Sequence, residues 1–119
     1  MAFNYQVGDR IAVKYGTNAI EAGNLVTVDT AGNGKAGEAA KPFLGVATES
    51  TAGSIKDYIS VLTEGVVKVA KASAVATDLG KDVKVKDATS VELSTQNTDV
   101  IIGKIVEVVS DSEVLIKLK

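Results

Sequence analysis

The segment FLGVATES, residues 43–50, has a near echo in IIGKIVEV, residues 101–108. Gly45 and Gly103 are separated by 58 positions (103 − 45), and so are Glu49 and Glu107 (107 − 49). A glycine inside an apolar strand typically marks a bulge, or a bend at which a small barrel turns a corner. Two such bends at matching places would allow two similar halves to close one barrel.

The echo belongs to a longer repeated pattern. Each copy contains a turn glycine, an alternating strand, a polar loop, an apolar strand with a glycine, a turn and a closing strand. The first copy reads AGNLVTVD, FLGVATES and YISVL, and the second reads LGKDVKVKD, IIGKIVEV and VLIKL. We therefore predict similar halves at about residues 19–62 and 76–118.

The composition favours strands throughout the chain. It contains 18 Val, 8 Ile and 10 Thr, whose branched side chains suit a pleated sheet better than a helix. Val26 and Val28 alternate with Thr27, and Val114, Ile116 and Leu118 share one face of a terminal strand. Short alternating runs between turn residues predict an all-β domain, a small barrel or sandwich.

Two Ala-rich segments are the weakest part of this interpretation. Residues 70–79, AKASAVATDL, could form one short turn or an extended connection, and we predict the extended connection. Residues 34–42 contain two glycines and Pro42, which limit them to a loop or a single turn.

Composition also excludes several kinds of chemistry. The chain has 119 residues, a net charge of −2, no Cys and no His. The charge provides no field for nucleic acid or an anionic membrane, and no apolar run approaches the roughly 20 residues that span a bilayer. Without Cys or His there are no disulfides, no Cys/His zinc sites and no His-activated nucleophiles. We predict no metal, no cofactor, no nucleic-acid partner and no membrane partner.

The remaining candidates for chemistry are weak. Residues 32–37, GNGKAG, match a dinucleotide-binding glycine pattern, but Pro42 leaves no room for the helix that this site requires. Glu49 and Glu107 could form a catalytic carboxylate pair, yet each precedes a polar turn where solvated acids are common. Lys68 and Lys71 flank apolar residues, and we expect both ammonium groups to remain in water. We predict that the protein is not an enzyme.

The N-terminus is the most informative segment for function. Phe3, Tyr5 and Val7 alternate with Asn4 and Gln6, and Gly8-Asp9 follows. This segment could form the first core strand, or it could be an arm that adds a strand to the sheet of another chain. The residues alone do not distinguish the two.

The opening Asn4-Tyr5-Gln6-Val7-Gly8-Asp9, followed by Ile11-Ala12-Val13, resembles that of the short head decoration (cement) proteins of tailed phages and prophages. Further matches lie along almost the whole chain, and their order and spacing carry the resemblance. They are Ala22–Val26, Gly45–Ala47, Thr63–Val66, Lys71-Ala72, Leu79–Val83 and Val114–Leu118.

The resemblance implies a small β-barrel or β-tulip-like domain, residues 9–119, with a flexible N-terminal arm, residues 1–8. It implies a homotrimer that binds the major capsid protein on the outer surface of the assembled head and stabilises the shell. The protein would be made in the host cytoplasm and reside in the virion. The capsid-binding residues would be those of the arm: Ala2, Phe3, Asn4, Tyr5, Gln6 and Val7. Alternatives are another virion part, such as the base of a head fibre, and a small ligand-binding β-barrel.

Overall fold

A computed structural model describes residues 10–52 and 57–118, and these residues form strands joined by turns. The first half contains β1 (Arg10–Lys14), β2 (Leu25–Val28), β3 (Gly34–Ala36), β4 (Phe43–Ala47) and β5 (Tyr58–Leu62). The second half contains β6 (Val66–Ala70), β7 (Asp82–Val85), β8 (Val91–Leu93), β9 (Gly103–Val108) and β10 (Glu113–Leu118). The predicted all-β class is confirmed.

The ten strands form two five-stranded antiparallel sheets with the same internal order. The first sheet runs β1-β5-β4-β2-β3, and the second runs β6-β10-β9-β7-β8. Each strand of the first sheet therefore has a counterpart five strands later in the same place. The two similar halves are confirmed, and β1 and β6, which precede the predicted copies, occupy equivalent edges.

Equivalent hydrogen bonds show how closely the halves match. Gly23 and Gly80, 57 positions apart (80 − 23), both have positive φ. The Gly23 N–H donates to Ala47 O at 2.7 Å, and the Gly80 N–H donates to Ile105 O at 2.8 Å. Each acceptor lies two residues beyond the glycine of the echoed segment. The repeated sequence therefore encodes a repeated backbone.

The apolar side chains form two clusters. One lies on a face of the first sheet and includes Val13, Val26 and Ile59, with Tyr15 and Ile20 from the β1–β2 connection. The other lies on the inward face of the second sheet and includes Val83, Ile105 and Ile116. Val83 with Val85, and Val114 with Ile116 and Leu118, alternate along their strands and point into the second cluster, as the period of a strand requires.

The sheets do not close into the predicted barrel. Within the described residues, β1 and β3 end one sheet, and β6 and β8 end the other. Ala70, the last residue of β6, forms an isolated parallel bridge with Ser90, the residue before β8. β6 and β8 do not otherwise pair with each other. Each half forms its own sheet, so the link from Leu62 to Val66 passes from the last strand of the first sheet to the first strand of the second.

Gly45 and Gly103 have a common role that differs from the predicted bend. Leu44 is an extra residue opposite β2, so Gly45 does lie beside a bulge. In β9 the extra residue is Val106, away from Gly103. What both share is contact with the closing strand. A Cβ on Gly45 would overlap Leu62 O, and one on Gly103 would lie 2.5 Å from Lys117 O.

The two Ala-rich segments contain more regular structure than predicted. Ala76–Asp78 forms a 3-10 turn, so the extended connection predicted for residues 70–79 is wrong there. Gly34–Ala36 forms β3 and pairs with β2, although residues 34–42 were predicted to be a loop or a single turn. Three-residue elements are too short to produce a period in the sequence.

Replacing Gly103 with Ala tests the close approach of β10. A methyl group there has no room beside the Lys117 carbonyl, so we expect the free energy of unfolding to fall by about 2 kcal/mol, as for other overpacked sites. Lys104→Ala, at an exposed neighbour on the same strand, is the control, and this substitution should change the free energy of unfolding by no more than about 0.5 kcal/mol. Chemical denaturation measures both variants. Equal stability of the two variants would contradict this role.

Candidate functional site

The predicted arm residues, Ala2 to Val7, lie outside the described residues. The structure does describe the strand that follows them. β1 begins at the exposed Arg10 and, within residues 10–52 and 57–118, pairs only with β5. The predicted arm therefore precedes an edge strand of the first sheet.

The glycine-rich segment forms a β-hairpin. The Asp29 carboxylate accepts the Ala31 N–H at 2.8 Å and the Asn33 N–H at 2.9 Å, which closes the turn between β2 and β3. Asn18 Nδ2 donates to the same carboxylate at 2.8 Å. This side-chain bond and the backbone bonds hold the pKa of Asp29 below its usual value. Because Gly34 begins β3, no helix starts at the glycines to bind a pyrophosphate.

Glu49 and Glu107 lie in different halves of the molecule. Glu49 Oε2 accepts the Ser60 N–H at 2.8 Å and so connects the end of β4 to β5. Glu107 is exposed on β9 in the second sheet. Glu49 therefore supports the backbone of the first sheet, and its Ser60 contact does not involve Glu107.

Lys71 corrects one of the predictions. The Lys68 side chain is 59% exposed, as predicted, but that of Lys71 is only 8% exposed. Lys71 Nζ lies 3.0 Å from Asp78 Oδ2 and donates to Ala72 O at 3.2 Å. The reason is the 3-10 turn, which brings Asp78 back toward the end of β6. The bond from the Val75 N–H, with that from Lys71, lowers the pKa of Asp78.

Asp99 organises the long loop between β8 and β9. Its carboxylate accepts the Gln96 N–H and the Thr95 N–H, each at 2.9 Å, and the Ser94 hydroxyl at 3.0 Å. Lys84 Nζ donates to it at 3.1 Å. The Gln96 bond is the largest of the causes that lower the pKa of Asp99 to about 2. The carboxylate therefore remains an acceptor at neutral pH.

A small depression of about 250 Å³ lies beside this loop. Lys84, Asp99 and Val100 line one side, and Ala39, Ala40 and Lys41 line the other. The polar stretch between β2 and β4 therefore contacts the second half of its own chain.

A larger depression of about 450 Å³ lies on the outer face of the second sheet. Its lining includes Gly103, where β9 and β10 approach each other, and both charged and apolar side chains. The lining residues are Asp82, Ile101, Gly103, Lys104, Val106, Lys117 and Leu118. We call it the β9–β10 depression. Its charged lining does not match the mostly apolar lining of a small-molecule pocket.

Exposed apolar side chains are distributed over the rest of the described surface. The most exposed are Leu79, Val66, Val75 and Tyr58, and Val106 borders the β9–β10 depression. Within the described residues, no helix is long and apolar enough to span a membrane. No group of three or more acidic side chains in that part of the chain could hold a metal ion.

These features define an all-β protein in which the bonded carboxylates described above hold turns and loops. A family model described as phage cement protein matches residues 5–119. The chain belongs to the phage cement protein family, and its role is that of a capsid cement, or decoration, protein. No curated protein and no solved structure matched the chain.

Sequence reasoning did not find the β9–β10 depression. Asp82, Lys104 and Lys117 lie on three different strands, and nothing in their local sequence separates them from other solvated charges. That Lys104 pairs with both Asp82 and Lys117 is known only from the register of the strands.

The buried ion pair can be tested by removing its cation. Replacing Lys71 with Met leaves Asp78 charged and enclosed without its partner, which is strongly destabilising for buried pairs. Lys68→Met, three residues earlier and exposed on β6, is the matched control. We expect a clearly lower denaturation midpoint for Lys71→Met than for Lys68→Met. Equal midpoints would show that the ion pair between Lys71 and Asp78 does not contribute to the stability of the fold.

The low pKa of Asp99 predicts a stability change in acid. A carboxyl group with a lower pKa in the folded chain than in the unfolded chain stabilises the fold above the unfolded value of about 3.9. That contribution disappears as the pH falls through the folded value of about 2. Urea denaturation should therefore find wild type more stable than Asp99→Asn at pH 6, with the difference shrinking between pH 4 and pH 2.

Asp111→Asn, an exposed change in the turn before β10, serves as the control for general charge effects. A stability difference for Asp99→Asn that is as large at pH 2 as at pH 6 would contradict the assigned role of the carboxylate.

Proposed function

We propose that this cement protein binds the outer surface of the assembled phage head through residues 2–7 and stabilises the shell. The observation that carries the proposal is the family membership over residues 5–119, together with the edge position of the strand that follows the segment. The major capsid protein is the proposed partner, a homotrimer the proposed state, and the host cytoplasm the site of synthesis.

The sequence pattern supports strand addition by the arm. Phe3, Tyr5 and Val7 alternate with two polar residues, so an extended segment would present all three on one face. Main-chain hydrogen bonds to an open sheet edge would provide affinity, and pockets for alternate side chains would provide specificity. Aromatic anchors are the residues that most often dominate such interfaces.

Mass action explains how such binding would stabilise a shell. A protein that binds the assembled shell and not its separated parts stabilises it by about 2.7 kcal/mol per site at a concentration 100 times Kd. Linking three arms in one trimer raises the effective concentration of each arm at the surface. Weak individual contacts can then add up to firm attachment.

The described carboxylates support a role without catalysis. Asp29, Asp78, Asp87 and Asp99 each accept backbone N–H groups in turns or loops, and each has a lowered pKa. A general acid or base needs a pKa near the working pH. We therefore propose that the protein acts by binding and has no enzymatic activity.

Replacing Phe3 and Tyr5 together with Ser tests the arm in the full chain. If these side chains anchor the arm, affinity for expanded empty capsids should fall by about tenfold or more, because aromatic anchors typically contribute over 1 kcal/mol each. Co-sedimentation over a concentration series measures the affinity, with capsids assembled from the major capsid protein of the same phage.

Tyr58→Ser is the matched control, since Tyr58 is an exposed tyrosine on the body, 49% accessible. Binding of the double variant as tight as that of the control would reject the arm assignment. Failure of the unaltered protein to bind expanded capsids would reject the proposed function itself.

A further inference from the structure

The glycine-rich segment of residues 32–37 contains a reactive dipeptide that its role as a hairpin does not explain. Asn33 is followed by Gly34, and the two lie where the β2–β3 turn enters β3. The backbone nitrogen of a residue can attack the side-chain amide carbon of an asparagine that precedes it. Glycine hinders this attack least because it has no side chain. Whether the reaction occurs here depends on how the fold holds the two residues.

The register of the hairpin turns the Gly34 N–H away from β2. The Asp29 N–H donates to Asn33 O at 2.8 Å, so Asp29 and Asn33 are a hydrogen-bonded pair. Bonded and non-bonded pairs alternate along an antiparallel ladder, and the next pair, Val28 with Gly34, is therefore non-bonded. The Gly34 carbonyl agrees with this direction, since it accepts Asn18 Nδ2 at 2.8 Å. Within the described residues β3 pairs only with β2, so the Gly34 N–H belongs to no ladder.

The side chain of Asn33 is held less firmly than its backbone. The Asn33 N–H donates to Asp29 Oδ1 at 2.9 Å. The side-chain amide lies over Gly16, where a Cβ would be 2.7 Å from Asn33 Nδ2. No hydrogen bond to another described residue holds this amide. Because Asn33 is only half-buried, its amide carbon is within reach of water.

Two other asparagines of the described chain are held in ways that oppose the same reaction. The Asn18 amide donates to Asp29 Oδ2 and to Gly34 O, each at 2.8 Å, so its orientation is fixed. Asn24 is buried, and the N–H that follows it, that of Leu25, donates to a carbonyl of the β7–β8 hairpin at 2.8 Å. Neither site combines a free amide with a free neighbouring nitrogen.

Asn97 is more exposed than Asn33 but has a bulkier neighbour. It lies in the long loop between β8 and β9 and is followed by Thr98. The branched side chain of threonine is stiff and crowds the adjacent backbone nitrogen. Asn97 therefore provides a comparison within the same chain, in which exposure is greater and the neighbour is less favourable.

We propose that Asn33 is a deamidation site. The Gly34 nitrogen loses its proton to hydroxide and forms a bond to Asn33 Cγ, and the side-chain nitrogen leaves as ammonia. Water then opens the resulting succinimide at either of its two carbonyl groups. The products are aspartate, or isoaspartate, in which the main chain runs through the former side-chain carbonyl. This inference does not depend on the proposed function.

The fold controls the rate through the opening of one hairpin. Gly34 is buried against Val13, since a Cβ there would lie 2.6 Å from Val13 Cγ1. Its nitrogen therefore meets hydroxide when the start of β3 separates from its neighbours. β3 has three residues, lies at the edge of its sheet and follows an exposed turn, residues 30–32. Segments with so few contacts open at a much lower free energy than the whole domain.

Either product weakens the turn that Asp29 organises. Aspartate at position 33 places a second negative charge close to the Asp29 carboxylate, which accepts the Ala31 and Asn33 N–H groups. Like charges at such separations repel each other. Isoaspartate lengthens the main chain by an additional carbon atom, so the turn no longer matches the register of β2 and β3. Deamidation therefore loosens this hairpin.

Incubation of the folded full-length chain at mildly alkaline pH tests the proposal, with peptide mass spectrometry over time. We expect conversion at Asn33 to be several-fold faster than at Asn97. It should slow at mildly acidic pH, because the attacking nitrogen must lose its proton. Labelling with protein isoaspartyl methyltransferase should detect isoaspartate in the aged protein. Conversion at Asn33 no faster than at Asn97 overturns the proposal.

Asn33→Ser is the matched control, because Ser90 occupies the equivalent place in the β7–β8 hairpin. The Lys86 N–H donates to Ser90 O as the Asp29 N–H donates to Asn33 O. Serine therefore removes the amide and retains the turn, which circular dichroism checks. Isoaspartate labelling should be largely lost in this variant, and undiminished labelling also overturns the proposal. Capsids are absent from the experiment, so neither result bears on whether the protein binds them.

Discussion

In each half of this protein, the closing strand lies directly against a glycine of its neighbour. Leu62 O occupies the space of a side chain on Gly45, and Lys117 O does the same at Gly103. The close approach lies beside a row of paired positions on three strands of each sheet. The repeated segments FLGVATES and IIGKIVEV therefore each place a glycine where the carbonyl of the closing strand leaves no room for a side chain.

The two halves have the same strand order but differ in the chemistry of their surfaces. The row that is Leu25, Val46 and Leu62 in the first sheet is Asp82, Lys104 and Lys117 in the second. One row holds the chain together, and the other faces outward. Equivalent positions of the two halves are therefore apolar in the first sheet and charged in the second. This arrangement suits a cement protein, whose role depends on contacts with a larger assembly.

Much of the fold was predictable from the alternation of Val and Ile and from the repeated glycines, because side-chain period and turn residues are local signals. Closure into a barrel was not predictable, since it depends on whether edge strands of different halves pair. The burial of Lys71 was also missed, because it depends on a three-residue turn that returns Asp78 to it. The family resemblance identified the cement role, whereas the proximity of Asp82, Lys104 and Lys117 required the register of the sheets. The predicted arm residues 2–7 stay a prediction.

Electron cryomicroscopy of decorated capsids tests the central claim that this chain attaches by lending a strand to another protein. The account predicts that residues 2–7 are extended on the outer shell and paired through their backbone with a capsid subunit, beside an outward-facing body. If residues 2–7 instead pair within their own first sheet, and the body contacts the shell without them, the claim is contradicted.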